Sequence, residues 1–271
     1  MRKRFFPILL AGALLLVMAA APALVSASHS WGNYHWARSS NPVSLEVGDN
    51  VSSTWDGNLD LARDDWNQSN VLDLIDGAGM AKGRCRPTEG RIEVCNDFYG
   101  NTGWLGVAQI WVSGDHIVEA TTKVNDTYHS SPPYNTNAWR QLVMCQEIGH
   151  DFGLDHQDEN FDNSNLGTCM DYTNDPSSNQ HPNHHDYEQL GIIYEHLDGG
   201  SGGGGGGGGN CPPNGNKPGC NGNNGIFGPG SGELHSQREW GRLVREQGRT
   251  AVYERDFGNG NRVITFVIWA D

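Results

Sequence analysis

Positive charge is scarce in this chain, with 18 Lys and Arg against 32 Asp and Glu and a formal net charge of −14. The deficit is concentrated: residues 28 to 198 hold 8 basic against 26 acidic side chains, whereas residues 233 to 271 hold 6 of each. Such a surface repels polyanions, so nucleic acid and anionic membranes are excluded as partners. Long apolar runs are also rare. After the segment from Phe5 to about Val25, no stretch is apolar enough to cross a bilayer. No cysteine precedes Cys85, which excludes a lipid-bearing cysteine near the start and a cysteine-bearing pro-segment that would block a metal.

The one apolar run follows Arg2-Lys3-Arg4 and ends in Val25-Ser26-Ala27. A basic start, an apolar middle and a small-residue end read as a secretory signal peptide over residues 1–27, which implies a secreted, extracellular protein. A membrane anchor is the competing reading, and Pro7, Pro22 and the small-residue end favour cleavage. The six cysteines, Cys85, Cys95, Cys145, Cys169, Cys211 and Cys220, are an even number and suit disulfides in an oxidising compartment. Proximity suggests 85 with 95 and 211 with 220.

Along the chain, Val43 to Val47 alternates as a strand. Val51 to Ile75 carries apolar residues at three-to-four spacing, which predicts a long amphipathic helix with Ser53 or Thr54 as N-cap. The first cysteine pair lies in a clipped loop or hairpin that includes Arg91 to Val94. Trp104 to Trp111 and His116 to Val124 read as adjacent strands joined at Ser113-Gly114-Asp115. His116 and His129 read as ordinary exposed histidines. After the breaker cluster Pro132 to Asn135, a helix is expected from Asn137 through His150, and a closing helix around Tyr187 to Tyr194. Eight consecutive glycines at 202–209 mark residues 199–232 as a flexible linker. Residues 233–271 then read as a small module, helical over Arg238 to Gln247 with a hairpin turning at Gly258-Asn259-Gly260.

The chemistry lies in Cys145-Gln146-Glu147-Ile148-Gly149-His150-Asp151-Phe152-Gly153-Leu154-Asp155-His156. Glu147 and His150 share a helix face, Gly153 can leave the helix with a positive φ, and His156 follows where the chain would return to His150. That stretch resembles the H-E-x-x-H-x-x-G-x-x-H signature of the metzincin metallopeptidases, in matrixin-like form, with Gln146 in place of the first histidine. Met170 and Tyr172, fourteen and sixteen residues after His156, are similar to that family's methionine turn and its tyrosine.

The resemblance covers roughly residues 43 to 196 and implies an α+β domain with a mixed twisted sheet, a long backing helix and an active-site helix. It implies Zn2+ held by Gln146, His150 and His156, a metal-activated water with Glu147 as general base, and a catalytic contribution from Tyr172. Gly153 and Met170 would be structural supports. The peptide or protein substrate would pair with an edge strand, either Gly106 to Val112 or Ile117 to Val124, and Cys145 would bond Cys169. The protein is expected to be a monomer.

Because an amide is a weaker ligand than imidazole, three readings stay open. Gln146 could be an accepted third ligand, or Tyr172, His181, His184 or His185 could complete the set. The third is an inactive relative that binds extracellular protein or peptide. A surface-binding protein whose His and Asp content is incidental is a wholly different class. Residues 157–168, with Asp158, Glu159, Asn160, Asp162, Asn163 and Asn165, offer the oxygens a Ca2+ loop needs, but their spacing fits no defined calcium motif and favours a solvated loop.

Overall fold

The computed structural model describes residues 28–198 and 234–270. The signal peptide reading over 1–27, the glycine linker and the Cys211–Cys220 pair lie outside the described residues. In chain order come β1 (His35–Trp36), β2 (Val43–Asn50), α1 (Asp56–Trp66), β3 (Leu72–Ala78), β4 (Ile92–Asp97), β5 (Trp104–Ser113) and β6 (His116–Asn125). There follow a short helical turn α2 (Asp126–His129), α3 (Asn137–His150), α4 (His184–Ile193), β7 (Arg242–Gln247), β8 (Thr250–Gly258) and β9 (Asn261–Trp269).

The strands form one mixed sheet in the order β3-β2-β4-β6-β5-β9-β8-β7, with β1 beside the start of β6. β1 to β4 and β6 pair in parallel, while β5 is antiparallel to β6 and begins an antiparallel half that runs out through β9, β8 and β7. The molecule is therefore α+β with a mixed sheet, as expected. α1 and α3 pack against each other, and α3 also packs on β5 and β6. Trp55, Leu59, Trp66, Leu142, Val143 and Ile148 fill the space between them, each worth about 1.5–3 kcal/mol of burial.

Three expectations of secondary structure need correction. The helix predicted over Val51 to Ile75 stops at Trp66, with Trp55 as an N-cap that makes no side-chain bond. Asn67-Gln68-Ser69-Asn70 ends it, and Leu72 and Leu74 then alternate inward as a strand in register with Val43 and Leu45. The clipped loop or hairpin expected around Arg91 to Val94 is instead β4, an interior parallel strand whose Ile92, Glu93 and Val94 are all buried. A strand covered on both faces loses the alternation by which it would be recognised. No helix forms over Arg238 to Gln247: its second part is β7 (Arg242–Gln247), whose residues find a β8 partner rather than a helix face.

The C-terminal residues continue the sheet: β9 lies along the outer edge of β5 from Trp104 to Ser113. Ile264, Phe266 and Ile268 of β9 join the main core, while Trp240, Val263 and Val267 form a second cluster on the opposite face.

Burial also fixes a pH response. On β6, Glu119 is pushed up to about 7 from 4.5, first by burial and then by the charge of Glu89. The fold therefore favours the protonated carboxyl, and that contribution, fully present below the unfolded value, is lost as pH rises through 7. Glu119→Gln should raise unfolding stability at pH 8 by about 1–2 kcal/mol, after allowance for solvent screening, and the gain should nearly vanish at pH 4.5. Denaturant melts at the two pH values check this, and an equal gain at both would show that ionisation is not the cause.

A buried histidine pair, an amide and a carboxyl on the active helix

Thr136 caps α3 by accepting from the Trp139 backbone N–H, and the helix then runs without a break to His150. Gly149, its interior glycine, has a reason to be there: an added Cβ would lie 2.6 Å from Met170 Sδ and 2.8 Å from Trp66. Met170 thus lies directly against the helix, and the disulfide Cys145–Cys169 joins the helix to the turn that carries it. Cys85–Cys95 also forms. Beyond α3, Gly153 has φ +91°, and a Cβ there would lie 2.0 Å from the Tyr34 carbonyl oxygen. Glycine is required, and it lets the chain return His156 to His150.

His150 and His156 face one another, Nε2 to Nε2, at 3.1 Å, and both are buried. His150 Nδ1 lies 2.9 Å from the Leu154 carbonyl oxygen, which can only accept, so Nδ1 carries the proton and Nε2 presents a lone pair. His156 Nδ1 is 2.7 Å from the Tyr172 hydroxyl. Tyr172 therefore meets His156 on the ring nitrogen opposite the one that faces His150. Burial, then the neighbouring His156, holds His150 well below its usual range, and burial also lowers His156. Neutral imidazoles are what a metal requires.

Gln146 donates through Nε2 to the Cys169 carbonyl at 2.8 Å, which leaves Oε1, the ligating atom of the amide, buried and unpaired. Glu147 is buried as well, with Oε2 unpaired. Burial first, then the charge of Asp151, raises its carboxyl well above the usual range, and a hydrogen bond from the Ala108 backbone opposes the rise. Asp151 is likewise raised by burial, against the 2.8 Å bond from Thr122 Oγ1. Unpaired buried oxygens cost about 1–3 kcal/mol each, and two of them lie on the helix that carries His150. Two neutral imidazole nitrogens 3.1 Å apart are a donor pair of the kind a divalent transition metal takes.

The histidines that could complete the ligand set are engaged elsewhere. His181 Nδ1 bonds Asp65 at 2.7 Å, His184 pairs with Glu188, and the His185 ring lies against His29. His129, expected exposed, is buried against Trp55 and held down to about 4, mainly by burial. In the 157–168 loop the polar groups satisfy each other: Asp158 accepts from Asn160 and Asn163 at 2.6 Å each, and Asn160 accepts from Asp162 at 3.0 Å.

The site has a cover that sequence reasoning missed. Phe266 of β9 stacks flat on His150, with ring centroids 4.2 Å apart and planes within 5°. Arg245 of β7 forms a forked pair with Asp155, beside His156, and lies 2.9 Å from Glu159. Burial alone would raise the Asp155 carboxyl, but His156 and Arg245 hold it well below the usual carboxylate range. At the β7–β8 turn, Gln247 donates to the Glu159 carbonyl and Arg249 to Thr173 and Asn174. Six arginines in the otherwise acid-rich chain's last segment were the available signal.

No protein-family model matches the chain, and no curated protein matches its sequence. Among solved structures it is similar to high choriolytic enzyme 1, a hatching-enzyme zinc protease from the medaka fish Oryzias latipes, with 9% identity, a TM-score of 0.34, and cover of 60% of this chain and 94% of that one.

Proposed function

We propose that the chain is a secreted, zinc-dependent endopeptidase of metzincin type, acting on peptide or protein substrates. The observation that carries this reading is the 3.1 Å approach of the His150 and His156 Nε2 atoms, with the unpaired oxygens of Gln146 and Glu147 on the same helix as His150. Gln146 Oε1, His150 Nε2 and His156 Nε2 would hold the zinc, which would supply Lewis-acid polarisation of water and of the scissile carbonyl. With the charge of the zinc favouring its carboxylate against the burial that raises it, Glu147, steadied by the Ala108 N–H, would take the proton from the attacking water and deliver it to the leaving nitrogen. Tyr172 fixes the His156 ring through Nδ1 and acts as a positioning residue. The β5 backbone would pair with extended substrate once β9 withdraws from it. Residues 1–27 would be the cleaved leader, 28–198 the peptidase domain, 199–232 the tether and 233–271 the cover, in a monomer.

The cover supports a second reading, an inactive relative whose cleft holds its own β9 and whose outer surface binds extracellular protein or peptide. Incubation of the full chain with an unfolded protein substrate separates the two. The peptidase reading expects slow cleavage that a chelator stops and added zinc restores. Zinc-loaded protein that binds the substrate and never cuts it would support the second.

A further inference from the structure

β9 meets the site in the manner of an added strand. It runs antiparallel along β5, with Ile268, Phe266 and Ile264 in register with Gly106, Ala108 and Ile110. These three side chains join the main core on the α3 side, while Val263 and Val267 join the second cluster. Main-chain pairing, with alternate side chains seated on one face, is how a sheet edge holds an extended peptide. The same stretch of β5 carries the proposed base: a Cβ on Gly106 would stand 2.6 Å from Glu147 Oε1, and the Ala108 N–H bonds the Glu147 carboxyl.

The ring of Phe266 lies in a slot with two aromatic walls, and it is fully buried there. One wall is the face of His150, parallel to it within 5° at 4.2 Å between centroids. The other is Trp31, which meets it edge to face at 5.7 Å and 84°. Trp31 is itself held in place. Its backbone N–H donates to the Gly153 carbonyl at 3.0 Å, at the turn that returns His156, and the Arg245 guanidinium lies 4.6 Å over its ring. Opposite Phe266 in register, Ala108 carries only a methyl, so the strand partner does not fill the slot. Stacked and edge-to-face ring pairs each add to the value of burial, and a side chain without a ring collects neither.

We propose that Trp31 and the ring face of His150 form an aromatic subsite, in which Trp31 is the specificity-determining residue. Resting on the peptidase reading above, the subsite defines a substrate class: extended, unfolded segments with Phe, Tyr or Trp facing Ala108 and aliphatic residues two positions to either side. β9, with Phe266 between Ile264 and Ile268, is the chain's own copy of such a segment. A carboxylate facing Ala108 would be buried against two rings, and is excluded.

Two labelled peptides test this on the full chain, one carrying residues 261–269 between added lysines and one with alanine in place of Phe266. The receptor is the full-length Phe266→Ala chain in zinc buffer, whose own strand no longer fills the slot; fluorescence anisotropy reads binding, and peptide integrity is checked afterwards. The phenylalanine peptide is expected to bind at least about tenfold more tightly than the alanine peptide. Trp31→Ala added to the receptor should bring the two within about twofold, a change of ratio that a loss of stability does not produce. Phe266→Leu serves as receptor, with the same ratio expected, if the alanine variant does not fold. In a second arm, the sites that the wild-type chain cuts in an unfolded protein should carry an aromatic residue at one fixed position from the scissile bond. The expected binding ratio without any cleavage would leave the subsite standing and remove the peptidase, and cleavage without aromatic preference would do the reverse. Equal binding of the two peptides, or binding of neither by a folded receptor, would overturn the proposal.

Discussion

Glu147→Gln should lower peptide hydrolysis about a thousandfold while zinc content and melting temperature stay near those of the wild type. The side chain keeps its volume, which matters because Glu147 and Val143 crowd the Gly106 backbone: a Cβ there would meet Val143 at 2.5 Å and Glu147 Oε1 at 2.6 Å. The amide also keeps an acceptor for the Ala108 N–H. What it loses is the ability to accept a proton, so the loss should appear in kcat with little change in KM. Assay of initial rates beside zinc analysis checks this. Undiminished turnover would remove Glu147 from the role of base, and a loss accompanied by zinc release would make it a ligand.

Arg245→Ala combined with Phe266→Ala should raise turnover about tenfold or more over the wild type, since every 1.4 kcal/mol removed from the closed state multiplies the open population by about ten. Arg245 makes the forked pair with Asp155 and lies over Trp31 at 4.6 Å, and Phe266 covers His150. Both contacts tie the C-terminal strands to the site, and neither belongs to the proposed ligand set. Truncating a core phenylalanine costs about 3–5 kcal/mol, more than enough to favour opening. Part of that cost falls on overall stability, so the assay belongs well below the variant's melting temperature. A folded variant with no gain in turnover would make β9 a permanent part of the sheet and favour the inactive-relative reading.

What was legible in the residues was local. The breaker cluster Pro132 to Asn135 before Asn137, the glycines at 149 and 153, the two β-rich runs on either side of Ser113-Gly114-Asp115 and the Cys85–Cys95 spacing each act over a few positions, and the structure has the corresponding elements. The Cys145–Cys169 bond agrees with what the metzincin resemblance implied. Long-range pairing left no such trace. Nothing near Phe266 indicates that Ala108, 158 positions earlier, will be its strand partner above His150. β4 and β3 were misread for a related reason, because burial on both faces and a short interrupting loop erase the period that distinguishes strand from helix.

Anomalous scattering at the zinc edge from crystals of the wild-type chain grown without chelator tests the central claim most directly. The proposal requires a zinc peak joined to His150 Nε2, His156 Nε2 and Gln146 Oε1, with the Glu147 carboxyl beside it and outside the ligand set. An absent peak between His150 and His156, or a zinc there that leaves Gln146 Oε1 unbound, would contradict it.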